Sequence, residues 1–166
     1  MRLLRIVVVV LGCLGCTVVA EAGLAPAKAS QLVTLIAAGQ CAITGHPNAA
    51  GLQFRIGGDG SSTFFTVPPK QVLVLTYIEM SSKDQIAGHV FLGDVLVGTG
   101  GQGNFAALRF EPALANGTVA VSFAPTNGGI VVKSGNTACI ELVDTASPAA
   151  FVGAVGSANG FLAADK

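Results

Sequence analysis

Residues 70–80 read Lys-Gln-Val-Leu-Val-Leu-Thr-Tyr-Ile-Glu-Met, and the fold turns on how this stretch is read. In a strand, successive side chains point to opposite faces. Val72, Val74, Thr76, Ile78 and Met80 then share one face, and Leu73, Leu75, Tyr77 and Glu79 share the other. No 3.6-residue apolar period competes with this alternation. Both faces are mostly apolar, which predicts a strand central to a β-sandwich or covered on its outer side by a neighbouring subunit.

Outward from that strand, short apolar runs alternate with turn residues. Upstream lie Gln31 to Ala38 and Cys41 to Thr44, then the turn cluster Gly45-His46-Pro47-Asn48. Leu52 to Ile56 stops at the Gly-rich loop Gly57 to Ser62, and Thr63 to Val67 stops at Pro68-Pro69, which cannot continue a central ladder. Downstream, His89 to Leu92 and Val95 to Val97 flank Gly93-Asp94, a pair suited to a type II′ hairpin turn. Phe105 to Phe110 follows, then Thr118 to Phe123 behind Asn116-Gly117, Ile130 to Lys133, and Ala138 to Val143. A last pair, Phe151 to Val155 and Phe161 to Ala163, is divided by Ser157-Ala158-Asn159-Gly160. Strands this short and this evenly punctuated predict an all-β fold, an antiparallel β-sandwich or jelly-roll-like single domain. No internal repeat of fixed period is present.

The N-terminus carries a different signal. Arg2 and Arg5 precede an apolar run from Ile6 to Ala20, and Ala20-Glu21-Ala22 offers small residues for signal-peptidase cleavage after Ala22. The run is shorter than the roughly 20 residues a helix needs to span a bilayer. The expected organisation is therefore a signal peptide over 1–22, a flexible segment over 23–30 and the β-sandwich domain over 31–166, with no membrane span in the mature chain. A rival reading is lipoprotein anchoring through Cys13 or Cys16. Bulky Leu11 and Leu14, and the apolar residues after Cys16, weigh against it. Cleavage after Ala22 leaves two cysteines, Cys41 and Cys139, an even pair in an oxidising compartment and hence the expected disulfide.

Composition narrows the function. Charged residues make up 11% of the chain, hydrophobic residues 51%, and the formal net charge is zero. An ordinary soluble domain carries about 25% charged residues. Nucleic-acid binding needs a basic face, and no Lys/Arg cluster exists to supply one. A surface so poor in charge favours cover by another copy or by a partner.

The search for chemistry gives no catalytic, cofactor or metal set. His46 sits in a turn, and His89 shares the side of Phe91; neither has a Gly-x-Ser-x-Gly elbow to serve. Zinc ligands at compatible spacing are missing, and Gly57 to Ser62 offers calcium one carboxylate, Asp59, without an ordered series of acids. Glu79, Glu111 and Glu141 are candidates for paired-acid glycoside cleavage only if folding brings two of them together. The chain has no Trp and one Tyr, so flat stacking platforms for sugars are scarce. Phe64, Phe65, Phe91, Phe105, Phe110 and Phe123 are expected in the core. Asn116-Gly117-Thr118 matches a glycosylation sequon but is primarily a turn.

The expectation is a secreted or cell-envelope structural or adhesion-type module, not an enzyme. It would need no cofactor and would associate with itself, a trimer being one form. The alternative is a lectin-like domain that takes an extracellular protein or a glycan in loops such as Gly57 to Ser62 or Gly98 to Asn104. An enzyme on a jelly-roll scaffold ranks last.

Overall fold

A computed structural model describes residues 26–100, 102–126, 128–147 and 151–165. The expected signal peptide and Cys13 and Cys16 lie outside the described residues. The strand quoted above becomes β4, Gln71–Ser82. Its apolar faces are buried because it is paired on both sides. One side runs antiparallel along β11, Val155–Ala164. The other is shared by β8, Ile130–Lys133, and β7, Val119–Phe123.

The remaining strands are β1 (Leu32–Gln40), β2 (Ala50–Ile56), β3 (Ser62–Phe64), β5 (Val90–Thr99), β6 (Gln102–Pro112), β9 (Thr137–Asp144) and β10 (Phe151–Val152). The path of neighbours is β6-β5-β9-β2-β1-β11-β4-β7, with β3 added to β2, β8 to β4 and β10 to β9. Every pairing is antiparallel. The fold is all-β as the turn spacing predicts. The strands, however, join in one curled sheet where two stacked sheets were expected, and the two ends of the path, β6 and β7, come close together. Curling lets one sheet enclose its own core, in which Leu35, Leu75, Ile78, Phe91, Ile140 and Leu142 are packed out of solvent.

Three local readings change. First, β4 does not alternate throughout. Its register with β11 passes from Tyr77 opposite Asn159 to Leu75 opposite Gly160, and Thr76 is left over as a bulge. One extra residue exchanges the faces. Leu73, Leu75, Ile78 and Met80 therefore point to the core, while Thr76, Tyr77 and Glu79 are exposed. Second, Gly93-Asp94 is no turn but the middle of the continuous strand β5. Gly93 is required there by close packing, since a Cβ at this position would lie 2.8 Å from Val121 Cγ1. Third, Ser157 to Gly160 lies inside β11, where a Cβ on Gly160 would collide with the Val74 carbonyl oxygen. In both cases glycine marks close approach where the sequence suggested a reversal.

Cys41 and Cys139 are joined in a disulfide, with Cα atoms 5.8 Å apart across 98 residues of sequence. Cys41 to Thr44, expected as a strand, instead begins the loop from β1 to β2. This loop, Cys41 to Ala49, lies over the outer face of β5 and β9. There Cys41, Ile43, Ala49, Leu96 and Cys139 form a small second core. Residues 41–49 are called the strap below. A single 3-10 turn, Ala29–Gln31, joins the end of the expected flexible segment to the first residue of the expected domain, and Gln31 Nε2 donates to the Leu162 carbonyl at 3.0 Å.

Candidate functional site

The outer face of β5 and β9 carries the least ordinary chemistry in the molecule. Antiparallel register places Asp94 of β5 directly opposite Glu141 of β9. Each is only 1% exposed. They are two acids, both in the middle of apolar strands and both buried. The strap sets His46 against them: its Nδ1 lies 2.7 Å from Glu141 Oε1. The ring of His46 in turn meets Phe105 of β6 edge to face, with centroids 5.9 Å apart.

The strap reaches this position through its own bonds. Cys41 N–H donates to the Ala49 carbonyl at 2.8 Å, closing the base of the loop. Thr44 Oγ1 donates to the Gly100 carbonyl at 2.7 Å, tying the strap to the β5–β6 connection. With the disulfide, these contacts hold His46 over the acids.

Burial is the leading cause that pushes the Asp94 carboxyl up to about 8. Repulsion from Glu141 and the hydrogen bond between the two carboxyls act in the same direction. Asp94 Oδ1 and Glu141 Oε2 are buried without a hydrogen-bond partner. Two adjacent buried carboxylates cannot both stay ionised at low cost, so the pair retains a proton.

His89 is also paired, but elsewhere. Its Nδ1 lies 2.8 Å from Asp144 Oδ2 at the end of β9, and this bond is the main reason the Asp144 carboxyl is held below its ordinary value. The two histidines read from sequence as turn and packing residues thus each hold an acid. The glutamates considered as a catalytic pair are not brought together: Glu79 Oε1 accepts from Ser157 Oγ, Glu111 pairs with Arg109 Nε at 2.7 Å, and Glu141 faces Asp94. Asp94 is the member that sequence reasoning missed. Its signal was a charge inside the apolar run Val90 to Val97, a run mistaken for two strands and a turn.

The loop Gly57 to Ser62 spends its carboxylate internally. Asp59 Oδ1 accepts from both the backbone N–H and the hydroxyl of Ser61, at 3.0 and 2.7 Å, and these bonds lower its pKa. Among the described residues, no group of three or more His, Cys, Asp or Glu side chains is arranged to hold a metal ion. No helix there is long and apolar enough to cross a membrane.

A second region differs in kind. Among the described residues, β6 hydrogen-bonds only to β5, so its other edge is left unpaired. Phe105 and Phe110 stand on its outer side, 59% and 61% exposed. A register shift at Ala106 sets Phe105 opposite Leu96 and Phe110 opposite Leu92, which puts both rings on one face. Beside the free edge, between β6 and the β7–β8 connection, opens a cleft of about 780 Å³ that Asn104, Ala106, Arg109, Phe123, Thr126 and Asn136 help to line. Phe105 and Phe110, expected in the core, are surface residues, as is Phe64 of β3.

Comparison with known protein families, characterised proteins and solved structures finds no match.

Proposed function

We propose that this chain is an extracellular structural or adhesion-type module that associates with further copies of itself through the outer face and free edge of β6. The single observation that carries the reading is the exposure of Phe105 and Phe110 on one face of an edge strand. An unpaired edge offers a row of backbone donors and acceptors, and natural proteins usually blunt such edges with charge, proline or cover. Here Arg109 and Glu111 neutralise one another, and two large rings remain exposed beside them. Aromatic side chains of this size are the usual anchors of protein interfaces.

Further support comes from the low charge of the whole chain, which gives copies little mutual repulsion. An extracellular setting is favoured by the basic-then-apolar start of the sequence and by the disulfide between Cys41 and Cys139. The buried acids fit this non-enzymatic reading, because both carboxyls are shut away from solvent rather than open to a substrate.

Light scattering on the purified mature chain, with Phe105→Ser/Phe110→Ser beside it, tests the proposal. The expected result is a concentration-dependent multimer for the natural chain and a monomer of unchanged circular dichroism for the variant. A natural chain that stays monomeric at high concentration, or a variant that assembles equally well, would overturn it.

A further inference from the structure

We propose that the strap is a proton-locked latch: a single proton shared by Asp94 and Glu141 keeps Cys41 to Ala49 closed on the sheet, and its loss on alkalinisation lifts the strap about its disulfide tether. This inference does not depend on the self-association proposed above.

The geometry makes the argument. Asp94 and Glu141 lie on adjacent antiparallel strands at directly opposed positions, both sealed from solvent. Ionised, each carboxylate can only accept hydrogen bonds, which leaves Asp94 Oδ1 and Glu141 Oε2 as orphans. A proton on Asp94 turns one acceptor into a donor, so that the pair satisfies itself. With that proton on Asp94, Glu141 Oε1 is left to accept from His46 Nδ1–H, the bond that seats the strap. The three groups act as one unit, Asp94 to Glu141 to His46.

Among the described residues, no other charge stands ready to compensate if that proton leaves. The strap contributes only His46. From β6, Arg109 and Glu111 pair with each other at positions opposite Gly93 and Phe91, which belong to the inward side. Within β9, Asp144 lies opposite Phe91 and is bound to His89. Arg55 of β2 donates to the Ser30 and Leu32 carbonyls. Neither described residue of β10, Phe151 or Val152, is ionisable.

Deprotonation therefore places two anions face to face in a dry site with one His beside them. Lifting the strap admits water to both, which relieves repulsion and desolvation together. The core beneath β5 and β9 is separate from this site, being built from side chains on the opposite face. The disulfide limits the excursion, since Cys41 stays attached to Cys139. Opening uncovers Leu96 and parts the contact between His46 and Phe105.

Hydrogen exchange on the disulfide-intact natural chain, at about pH 6 and about pH 9.5, is the test. After correction for intrinsic exchange, protection of the Cys41 and Ala49 amides should fall about tenfold or more, while β4 and β11 amides keep theirs. Asp94→Asn supplies a permanent donor to Glu141 and should keep the strap protected at both pH values. Unchanged protection in the natural chain, loss shared equally by β4, or an Asp94→Asn variant that opens like the natural chain would each overturn the proposal. Should that variant fail to fold, infrared spectroscopy of the natural chain decides. A protonated-carboxyl stretch at pH 6 that disappears by pH 9.5 supports the latch, and no such band at pH 6 overturns it.

Discussion

The two faces of the β5–β9 pair are built from the same two strands and obey different rules. Inward, Phe91, Val95, Ile140 and Leu142 are packed into the main apolar core, and an acid, Asp144, enters that side only at the end of β9, where His89 holds it. Outward, Leu96 and Cys139 are accompanied by Asp94 and Glu141, and the face closes only because a loop, a disulfide, a histidine and a proton are all in place. The apolar middle of the inward face, with no acid in it, offers pH and redox state nothing to act on. A face with two acids under a cover responds to both. That contrast separates what holds the fold from what can change within it.

Breaking the inward face should cost most. Ile140→Ala or Leu142→Ala removes fully buried methyl groups from the main core, for an expected loss of about 2–5 kcal/mol in chemical denaturation. A loss under about 1 kcal/mol would mean that the core is looser than the packing implies. Removing the tether of the outward face comes next. Cys41→Ala/Cys139→Ala opens a crosslink spanning 98 residues, with an expected loss of about 2–4 kcal/mol and faster proteolysis in the strap than in β4. Uniform loss of protection across the chain would merge the two faces into one cooperative unit and blunt the comparison. The smallest stability effect belongs to Phe105 and Phe110, which are already in solvent. Phe110→Ser should alter the unfolding free energy of the monomer by little, within about 0.5 kcal/mol, and act on assembly instead.

Much of the inward face was legible in the sequence, and most of the outward site was not. The strands around β4, the exact span Ile130 to Lys133 and the Cys41–Cys139 pair follow from alternation, turn residues and cysteine arithmetic. The bulge at Thr76 was hidden because Thr is at home on either face of a strand. Gly93 and Gly160 misled because glycine serves turns and close packing equally well, and only the neighbouring strand distinguishes the two. The acid pair depends on β5 lying beside β9, a long-range neighbourhood that no local pattern encodes. What could have been noticed is that Asp94 and Glu141 each interrupt an apolar run. An acid in such a place needs a proton or a partner, and here it has both.

Stability against pH addresses the proton most directly, and its sign follows from the acids. Asp94, raised to about 8, keeps in the folded chain a proton that the unfolded chain releases near its ordinary value of 3.8. Its contribution is complete below that ordinary value and is lost as pH rises toward 8, at a limiting slope of about 1.4 kcal/mol per pH unit. Asp144, held low chiefly by His89, works oppositely: its contribution is present above the ordinary carboxylate range and is lost on acidification. Comparing the natural chain with Asp94→Asn isolates the first effect, because Asp144 is common to both. Denaturant unfolding of the two chains from pH 4 to pH 9 should show stability declining with pH in the natural chain and a distinctly flatter profile in Asp94→Asn. Parallel profiles would show that no proton is held between β5 and β9, and would contradict the account.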